Sequence, residues 1–192
     1  EIRSGDWSSD VCSSDLLDDS RKLVFEDETN NIRFFLVKPS DVASYVEHGA
    51  ADIGIVGRDI LLETEADVID LLRFNLGVCR IAVAGPRDFT IDPTRPLKVA
   101  TKYTNITRQY FGDRSQPIET IYLNGSIELA PIVGLADVIV DIVETGTTLK
   151  ENDLVVLEEI DESSAHLIVN RSSWRFKKAA ITEVVEKVSD QK

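Results

Sequence analysis

The 192-residue chain carries a formal net charge of −13 at pH 7, with 43% hydrophobic and 29% charged residues. These proportions are ordinary for a soluble globular protein of one large or two small domains. The negative charge argues against nucleic acid as a partner, because a phosphate backbone requires a positive surface. No apolar run approaches the ~20 residues of a membrane-spanning helix, and no secretory leader is recognisable. We therefore expect a cytoplasmic protein with no membrane partner.

Residues 1–16 differ from the rest of the chain. They read EIRSGDWSSDVCSSDL, a Ser/Asp repeat without the hydrophobic pattern that begins at Leu17. The segment is similar to the translation of an adapter oligonucleotide, and a genuine disordered Ser/Asp arm is the alternative. We expect residues 1–16 to be a non-native or disordered tail outside the fold.

Residues 17–84 have the pattern of a first α/β lobe. Apolar runs predict strands at 32–37, 52–56 and 79–84, with a helix between Pro39 and Gly49 and another from Asp59. Strands and a helix at this spacing predict a βαβ unit with parallel pairing between its strands.

Residues 85–167 repeat the pattern as a second α/β lobe. Strands are predicted at 97–100, 118–122, 138–143 and 155–160, and helices at 106–111 and 126–135. A strand at 165–170 and a helix from Ser172 follow. The apolar residues of that helix recur at helical spacing and predict a core-facing side: Trp174, Ile181, Val184, Val185 and Val188. Residues 168–192 are expected to complete the first lobe.

The most informative stretch lies where the run at 138–143 ends. This run is apolar except for Asp141 and predicts a parallel strand buried on both faces. Residues 145–148 then place three threonine hydroxyls at the start of a short helix, an arrangement that suits a phosphate. The turn has no lysine, which excludes a Walker loop. Asp141 and Glu144 place carboxylates beside it, as a ligand with ribose hydroxyls or Mg²⁺ requires. The turn is therefore predicted to bind a sugar phosphate.

This segment resembles the corresponding segment of the ATP phosphoribosyltransferases, the family that catalyses the first step of histidine biosynthesis. The chain matches the family signature at Glu128, Gly134, Ala136, Ile139, Asp141, Ile142, Thr145, Gly146 and Thr148. The resemblance extends from Leu17 to the C-terminus, through VKPSDVASYVEHGAADIGIVGRDIL before the signature and VVLEEIDESSAHLIVNRSSW after it. The alternative is a generic strand-to-helix turn of an α/β domain.

The resemblance implies an α/β, two-lobed type II periplasmic-binding-protein-like fold with a central cleft. It also implies transfer of the phosphoribosyl group from phosphoribosyl pyrophosphate to nitrogen 1 of ATP, with Mg²⁺ as cofactor. No covalent nucleophile is needed, in agreement with a sequence that has no Ser/His/Asp or Cys/His arrangement. A non-catalytic small-molecule binding module on the same fold is the competing hypothesis.

Site residues follow from the same resemblance. Gly146, Thr147 and Thr148 are assigned to the ribose 5-phosphate, with Thr145 shaping the turn. Asp141 and Glu144 are assigned to the ribose hydroxyls or the metal, and with Glu128 they form the expected catalytic set. No all-protein metal site is expected. Two of these acids have structural alternatives. Asp141 could cap a helix or a turn, and Glu128 could be a first-turn acid, favoured by the helix dipole, in a helix that Ser126 caps.

Four residues that follow strands are expected to face ATP, namely Lys38, Asp41, Lys102 and Tyr103. Either lysine suits a triphosphate, and the tyrosine ring suits stacking on a base. Solvated loops are the alternative.

The resemblance also predicts a partner. Family members begin with a strand and a Lys-Gly-Arg turn that does not occur here, so an incomplete first lobe is expected. No room remains for the C-terminal regulatory domain of longer members. The chain is expected to be the short form, which works in a hetero-oligomer with a regulatory subunit resembling histidyl-tRNA synthetase.

Overall fold

Strands and helices alternate along most of the chain. The computed structural model describes residues 23–189, and the predicted tail at residues 1–16 lies outside them. The elements are, in chain order, β1 (Val24–Asp27), β2 (Ile32–Phe35), α1 (Pro39–Glu47), β3 (Ile53–Gly57), α2 (Arg58–Thr64), β4 (Ile69–Arg73), β5 (Cys79–Pro86), β6 (Leu97–Thr101), α3 (Thr104–Asp113), β7 (Ile118–Tyr122), α4 (Leu129–Ile132), β8 (Val138–Val143), α5 (Thr147–Glu151), β9 (Leu154–Ser163), β10 (Ala165–Val169), α6 (Arg171–Phe176) and α7 (Lys178–Ser189). The predicted α/β class is confirmed. Among these residues, no helix is both long enough and apolar enough to cross a membrane.

The chain divides into two compact units. Within the described residues, the first comprises residues 23–60, 66–77 and 165–189. The second comprises residues 61–65 and 78–164. The boundaries expected after residues 84 and 167 therefore differ from the boundaries after residues 77 and 164 in the structure.

The sheet of the first unit is built around β10. This strand pairs antiparallel with β3 on one side and β4 on the other, and all five of its residues are buried. The C-terminal segment covers this core through Trp174, Ile181, Val185 and Val188. The predicted core-facing side is confirmed at these four positions, and Val184, which was also predicted, is partly buried. The helix from Ser172 is two helices, α6 and α7.

The predicted parallel pairing between the strand at 32–37 and the strand at 52–56 is wrong. In the described part of the chain, β2 pairs antiparallel with β1, and β3 pairs antiparallel with β10. Helix α1, which connects β2 to β3, packs closely on β3. A Cβ built on Gly54 would lie 2.7 Å from Val46 Cγ2 and 2.8 Å from Val42 Cγ1. Local spacing predicted the elements, but this long-range pairing decided the sheet.

The second unit holds a five-stranded sheet in the order β7-β6-β8-β5-β9. Val138, Ile139 and Val140 of β8 are 0% exposed, as predicted for a strand covered on both faces. β8 is parallel to β6 and antiparallel to β5, so the sheet is mixed. β5, which was expected in the first lobe, lies here because it pairs with β8 and β9 along both edges.

Candidate active site

The predicted phosphate turn connects β8 to α5. Gly146 occupies the N-cap position of α5 with φ 76° and ψ 7°. A Cβ built on it would lie 3.7 Å from Val143 Cγ1, an ordinary contact, so the left-handed backbone is what favours glycine here. The hydroxyl oxygens of Thr145 and Thr147 are 3.0 Å apart, and the Thr147 N–H donates to Thr145 Oγ1 at 3.4 Å. One glycine and its neighbouring threonines therefore shape the turn.

The turn is exposed, but both of its ends are anchored in the core. Val143 is 4% exposed and Leu149 is 6% exposed, and both belong to the apolar cluster of the second unit. Thr145, Thr147 and Thr148 are exposed between them. The first N–H groups of a helix have no partner within the helix. The segment can therefore offer backbone donors and hydroxyl groups to an anion that arrives from solvent.

Asp141, four residues before Thr145, forms an ion pair with Lys102. The Lys102 Nζ is 3.9 Å from Asp141 Oδ1, and the Ile142 N–H donates to the same oxygen at 2.8 Å. The Lys102 side chain is 39% exposed and the Asp141 side chain is 22% exposed. A contact of this kind is worth about 1 kcal/mol or less. Lys102 can therefore be redirected toward a phosphate at little cost. Glu144, closer to the turn in sequence, is exposed.

The structure corrects the base-stacking role predicted for Tyr103. This residue is 1% exposed, and its ring lies beneath the Lys102 Nζ at 4.9 Å. A ring buried in this way cannot stack on an adenine that enters from solvent. Tyr103 instead supports Lys102, its neighbour in sequence, through a cation–π contact.

The structure also corrects the helix predicted at 126–135. α4 spans only Leu129–Ile132, and Ser126 has a positive φ of 49°. Ser126 is therefore not the N-cap. Glu128 occupies that position without a capping hydrogen bond from its side chain, and it is partly buried. Glu128 therefore does not lie in the first turn of a helix capped by Ser126, which was the structural alternative for this residue.

Three candidate segments follow strands that run in the same direction. β6 pairs parallel with β7 and with β8, so the carboxyl ends of all three strands meet at one edge of the sheet. Lys102 follows β6, Glu128 follows β7, and the Thr145 turn follows β8. Ligands of α/β sheets bind at such edges. The fold of the second unit therefore brings these predicted residues to one edge.

Lys38 and Asp41 belong to the first unit. Lys38 occupies the N-cap position of α1, which begins at Pro39. The Asp41 carboxylate accepts a hydrogen bond from Ser40 Oγ at 3.0 Å, and the Asp41 N–H donates to Lys38 O at 2.9 Å. Both residues are exposed at the start of this helix.

Sequence reasoning missed Thr101. This residue is 0% exposed, its hydroxyl donates to Val140 O at 2.7 Å, and it accepts the Tyr103 N–H at 2.8 Å. Thr101 therefore joins β6 to β8 and holds the backbone next to Lys102. A threonine at the end of a strand is the only local signal of this role, and it does not identify the partner on β8.

A groove of ≈ 530 Å³ borders the turn and was also not predicted. Its lining consists of Arg87, Gly146, Leu149, Lys150, Asp153, Leu154, Val155 and Val156. Four of these side chains are apolar, two are cationic and one, that of Asp153, is anionic. Arg87 and Lys150 therefore bring positive charge to a segment that has no lysine of its own.

Comparisons with known proteins identify the family of this chain. The family model for ATP phosphoribosyltransferase matches residues 38–190. An ATP phosphoribosyltransferase of Brachyspira hyodysenteriae is 53% identical over 179 residues, which cover 93% of this chain and 87% of the relative. One from Clostridioides difficile is 55% identical over 168 residues, which cover 87% of this chain and 81% of the relative.

Solved structures support the same family and the fold. A chain of the ATP phosphoribosyl transferase (HisG:HisZ) complex from Thermotoga maritima has a TM-score of 0.82 and 40% identity, covering 89% of this chain and 84% of that chain. A histidine kinase sensor domain with similarity to periplasmic binding proteins has a TM-score of 0.50 and 18% identity, over 79% of this chain and 71% of that chain. This second likeness concerns the fold alone and confirms the predicted periplasmic-binding-protein-like class. The chain belongs to the ATP phosphoribosyltransferase family.

Proposed function

We propose that this chain transfers the phosphoribosyl group of phosphoribosyl pyrophosphate to nitrogen 1 of ATP, which yields phosphoribosyl-ATP and pyrophosphate in the first step of histidine biosynthesis. Its family membership supports this reaction. The observation that carries the assignment of the site is the exposed, glycine-shaped turn at Thr145, Gly146 and Thr147. A sugar phosphate needs this combination of hydroxyl and backbone donors.

The reaction requires positioning more than covalent catalysis. The bond between the anomeric carbon and the pyrophosphate oxygen breaks, and its electron pair leaves with pyrophosphate. The lone pair of adenine nitrogen 1 forms the new bond to that carbon. Positive charge develops on the ribose as the bond breaks. The protein therefore has to hold two polyanions in line and stabilise the departing charge.

The chain supplies groups for each of these tasks. Gly146, Thr147 and Thr148 bind the ribose 5-phosphate, and Thr145 maintains the turn. Asp141 and Glu144 face the ribose hydroxyls, where carboxylates also favour the positive charge of the transition state. Lys102 is released from Asp141 and binds a phosphate of ATP or of the leaving group. The ion pair between Lys102 and Asp141 is weak at 3.9 Å, so its loss costs little free energy, which supports this role.

The remaining predicted residues have assigned roles as well. Lys38 and Asp41 remain proposed contacts of ATP, from the exposed start of α1. Glu128 remains a proposed member of the catalytic set, and its partly buried position after β7 supports this role.

Magnesium is the proposed cofactor. Within residues 23–189, no cluster of three or more His, Cys, Asp or Glu side chains could hold a metal ion by itself. Mg²⁺ in phosphate-transfer sites usually binds one or two carboxylates together with substrate phosphates. Asp141 and Glu144 fit that requirement and would hold the ion. When bound, Mg²⁺ would neutralise charge on the pyrophosphate.

We also propose a regulatory partner. The Thermotoga maritima chain, which is 40% identical to this one, was solved as a HisG:HisZ complex. A subunit resembling histidyl-tRNA synthetase in a hetero-oligomer is therefore the expected partner of this chain. We place the reaction in the cytoplasm, where ATP and phosphoribosyl pyrophosphate are available.

The test is an assay of both products. The purified chain, with and without the regulatory subunit, is incubated with ATP, phosphoribosyl pyrophosphate and Mg²⁺. We expect phosphoribosyl-ATP and pyrophosphate in equal amounts, and neither product when one substrate is omitted. Release of pyrophosphate that does not depend on ATP would contradict the proposal, because it would indicate simple hydrolysis.

A further inference from the structure

Helix α3 receives its N-terminal cap from a residue outside the helix. Tyr103 is at the N-cap position, and its side chain makes no capping hydrogen bond. The Glu63 carboxylate takes this role, although Glu63 is 41 positions from Thr104. It accepts the Thr104 hydroxyl at 3.1 Å, the Asn105 N–H at 2.9 Å and the Ile106 N–H at 3.1 Å. The Asn105 side-chain amide donates in return to Glu63 O at 2.8 Å.

This cap is a strong one for physical reasons. A negative charge at the first turn complements the helix dipole, and hydrogen bonds to a carboxylate are shorter and stronger than neutral ones. Glu63 is partly buried, so solvent screens these interactions less than at an open surface. Glu63 therefore fixes where α3 begins.

The start of α3 in turn determines the position of Lys102. This residue lies between Thr101, which bonds to β8, and Tyr103, whose carbonyl accepts the Thr107 hydroxyl at 2.6 Å. The backbone on both sides of Lys102 is therefore held, on one side by β8 and on the other by α3. A shift of α3 would move the Lys102 ammonium relative to Asp141.

We propose that Glu63 is a positioning residue that acts through Lys102. By capping α3, Glu63 keeps the Lys102 ammonium beside Asp141, from where it reaches a phosphate of the substrates. Glu63 itself touches no substrate, because its carboxylate is engaged by residues 104–106. This inference rests on the proposed function, in which Lys102 binds substrate phosphate.

A double-mutant cycle tests the coupling. Glu63→Ala, Lys102→Ala and the double variant are compared with the unsubstituted enzyme for kcat and for KM of each substrate. We expect Glu63→Ala to lower kcat/KM about 10-fold, because small misplacements of a charged group are costly. The double variant should lose no more than about twofold beyond Lys102→Ala, since the residue through which Glu63 acts is already absent. Losses that multiply would overturn the proposal.

Asn170→Ala removes a helix cap together with two hydrogen bonds that Asn170 Nδ2 donates to Val46 O and Glu47 O. Asn170 Oδ1 accepts the Ser172 and Ser173 N–H groups at 2.9 and 3.0 Å at the start of α6, in the first unit. This variant should unfold at a lower temperature with kcat and KM unchanged below that temperature. If Glu63→Ala also lowered only the unfolding temperature and left kcat and KM unchanged, the proposal would be overturned. Acetate should partly restore Glu63→Ala, by capping α3 again, and should not restore Lys102→Ala.

A binding measurement keeps the test independent of turnover. Inorganic pyrophosphate is titrated by calorimetry into the unsubstituted enzyme, Glu63→Ala, Lys102→Ala and the double variant. We expect each single substitution to weaken pyrophosphate binding, and the double variant to bind about as weakly as Lys102→Ala. A loss of affinity in the double variant equal to the product of the two single losses would overturn the inference. Absence of turnover in the unsubstituted enzyme would count against the proposed reaction, and the pyrophosphate cycle would still decide the role of Glu63.

Discussion

Arg95 and Asp137 form a bidentate ion pair beside the amino ends of β6 and β8. Arg95 Nη1 donates to Asp137 Oδ2 at 2.7 Å, and Nη2 donates to Oδ1 at 2.6 Å. The Lys98 N–H adds a bond of 2.9 Å to Oδ2, and the Asp137 N–H donates to Lys98 O at 2.9 Å. These contacts tie together the starts of two parallel strands whose other ends are followed by Lys102 and the phosphate turn.

This pair predicts a pH-dependent stability. The hydrogen bonds from the Arg95 guanidinium hold the pKa of Asp137 below its usual range. Because the folded-state pKa is the lower one, the stabilisation is present above the unfolded pKa of ~4 and is lost as the pH falls through the folded pKa. Asp137→Asn should lower the free energy of unfolding by about 1 kcal/mol at pH 7, with a smaller difference in acid. Urea unfolding measured at several pH values checks this prediction.

The control for that variant is Glu183→Gln. Glu183 pairs with Lys187 at 2.8 Å on an exposed face of α7. Exposed pairs of this spacing contribute little, so Glu183→Gln should leave the free energy of unfolding nearly unchanged at pH 7. Equal effects of the two substitutions would show that the geometry around Asp137 has no special role.

Gly146 is expected to matter for binding beyond its effect on stability. Gly146 and Gly49 have φ values of +76° and +72°, and a Cβ on either would have its nearest neighbour at 3.7 Å. Alanine at each position should therefore cost about 1–2 kcal/mol of stability. Gly146→Ala should also weaken binding of phosphoribosyl pyrophosphate at least about 10-fold, whereas Gly49→Ala should not. Calorimetry measures both affinities, and equal affinities would remove the turn from the site.

Tyr110 should ionise unusually late. Burial and the hydrogen bond that its hydroxyl donates to Glu158 raise its pKa to about 12. A raised folded-state pKa means that the stabilisation is present below the unfolded pKa of ~10 and is lost as the pH rises toward the folded value. Tyr110→Phe should cost about 1 kcal/mol below pH 10, with a smaller difference above it. An absorbance titration of tyrosinate should lose a step near pH 12 in Tyr110→Phe, and a titration that keeps this step would contradict the assignment.

Removal of magnesium should abolish turnover. A chelator in excess should stop product formation, and added Mg²⁺ should restore it. Glu144→Gln should raise the Mg²⁺ concentration needed for half-maximal rate about 10-fold, because one of two carboxylates for the ion is lost. Glu151→Gln changes another exposed carboxylate, on α5, and should leave this concentration unchanged. Full activity in the chelator would exclude Mg²⁺ from the reaction.

Residue patterns predicted the strand and the turn of the proposed site because their signals are local. The β-branched run at 138–143 predicted a buried strand, and the glycine with its threonine neighbours predicted the turn that follows it. These features depend on backbone preferences and side-chain burial within a few residues. The family resemblance, carried by nine positions of one segment, is confirmed by the comparisons.

Tertiary structure decided the features that depend on distant partners. The antiparallel pairing of β3 with β10 and the place of β5 in the second unit are set by strands far away in sequence. The burial of Tyr103 excluded the stacking role that its residue type had favoured. The cap that Glu63 places on α3 has no local signal in the sequence near Glu63 or near Tyr103. A helix whose N-cap side chain makes no capping hydrogen bond needs another acceptor, but its sequence does not specify which residue provides it. Local chemistry thus determined the elements and the turn, and long-range packing determined which residues meet.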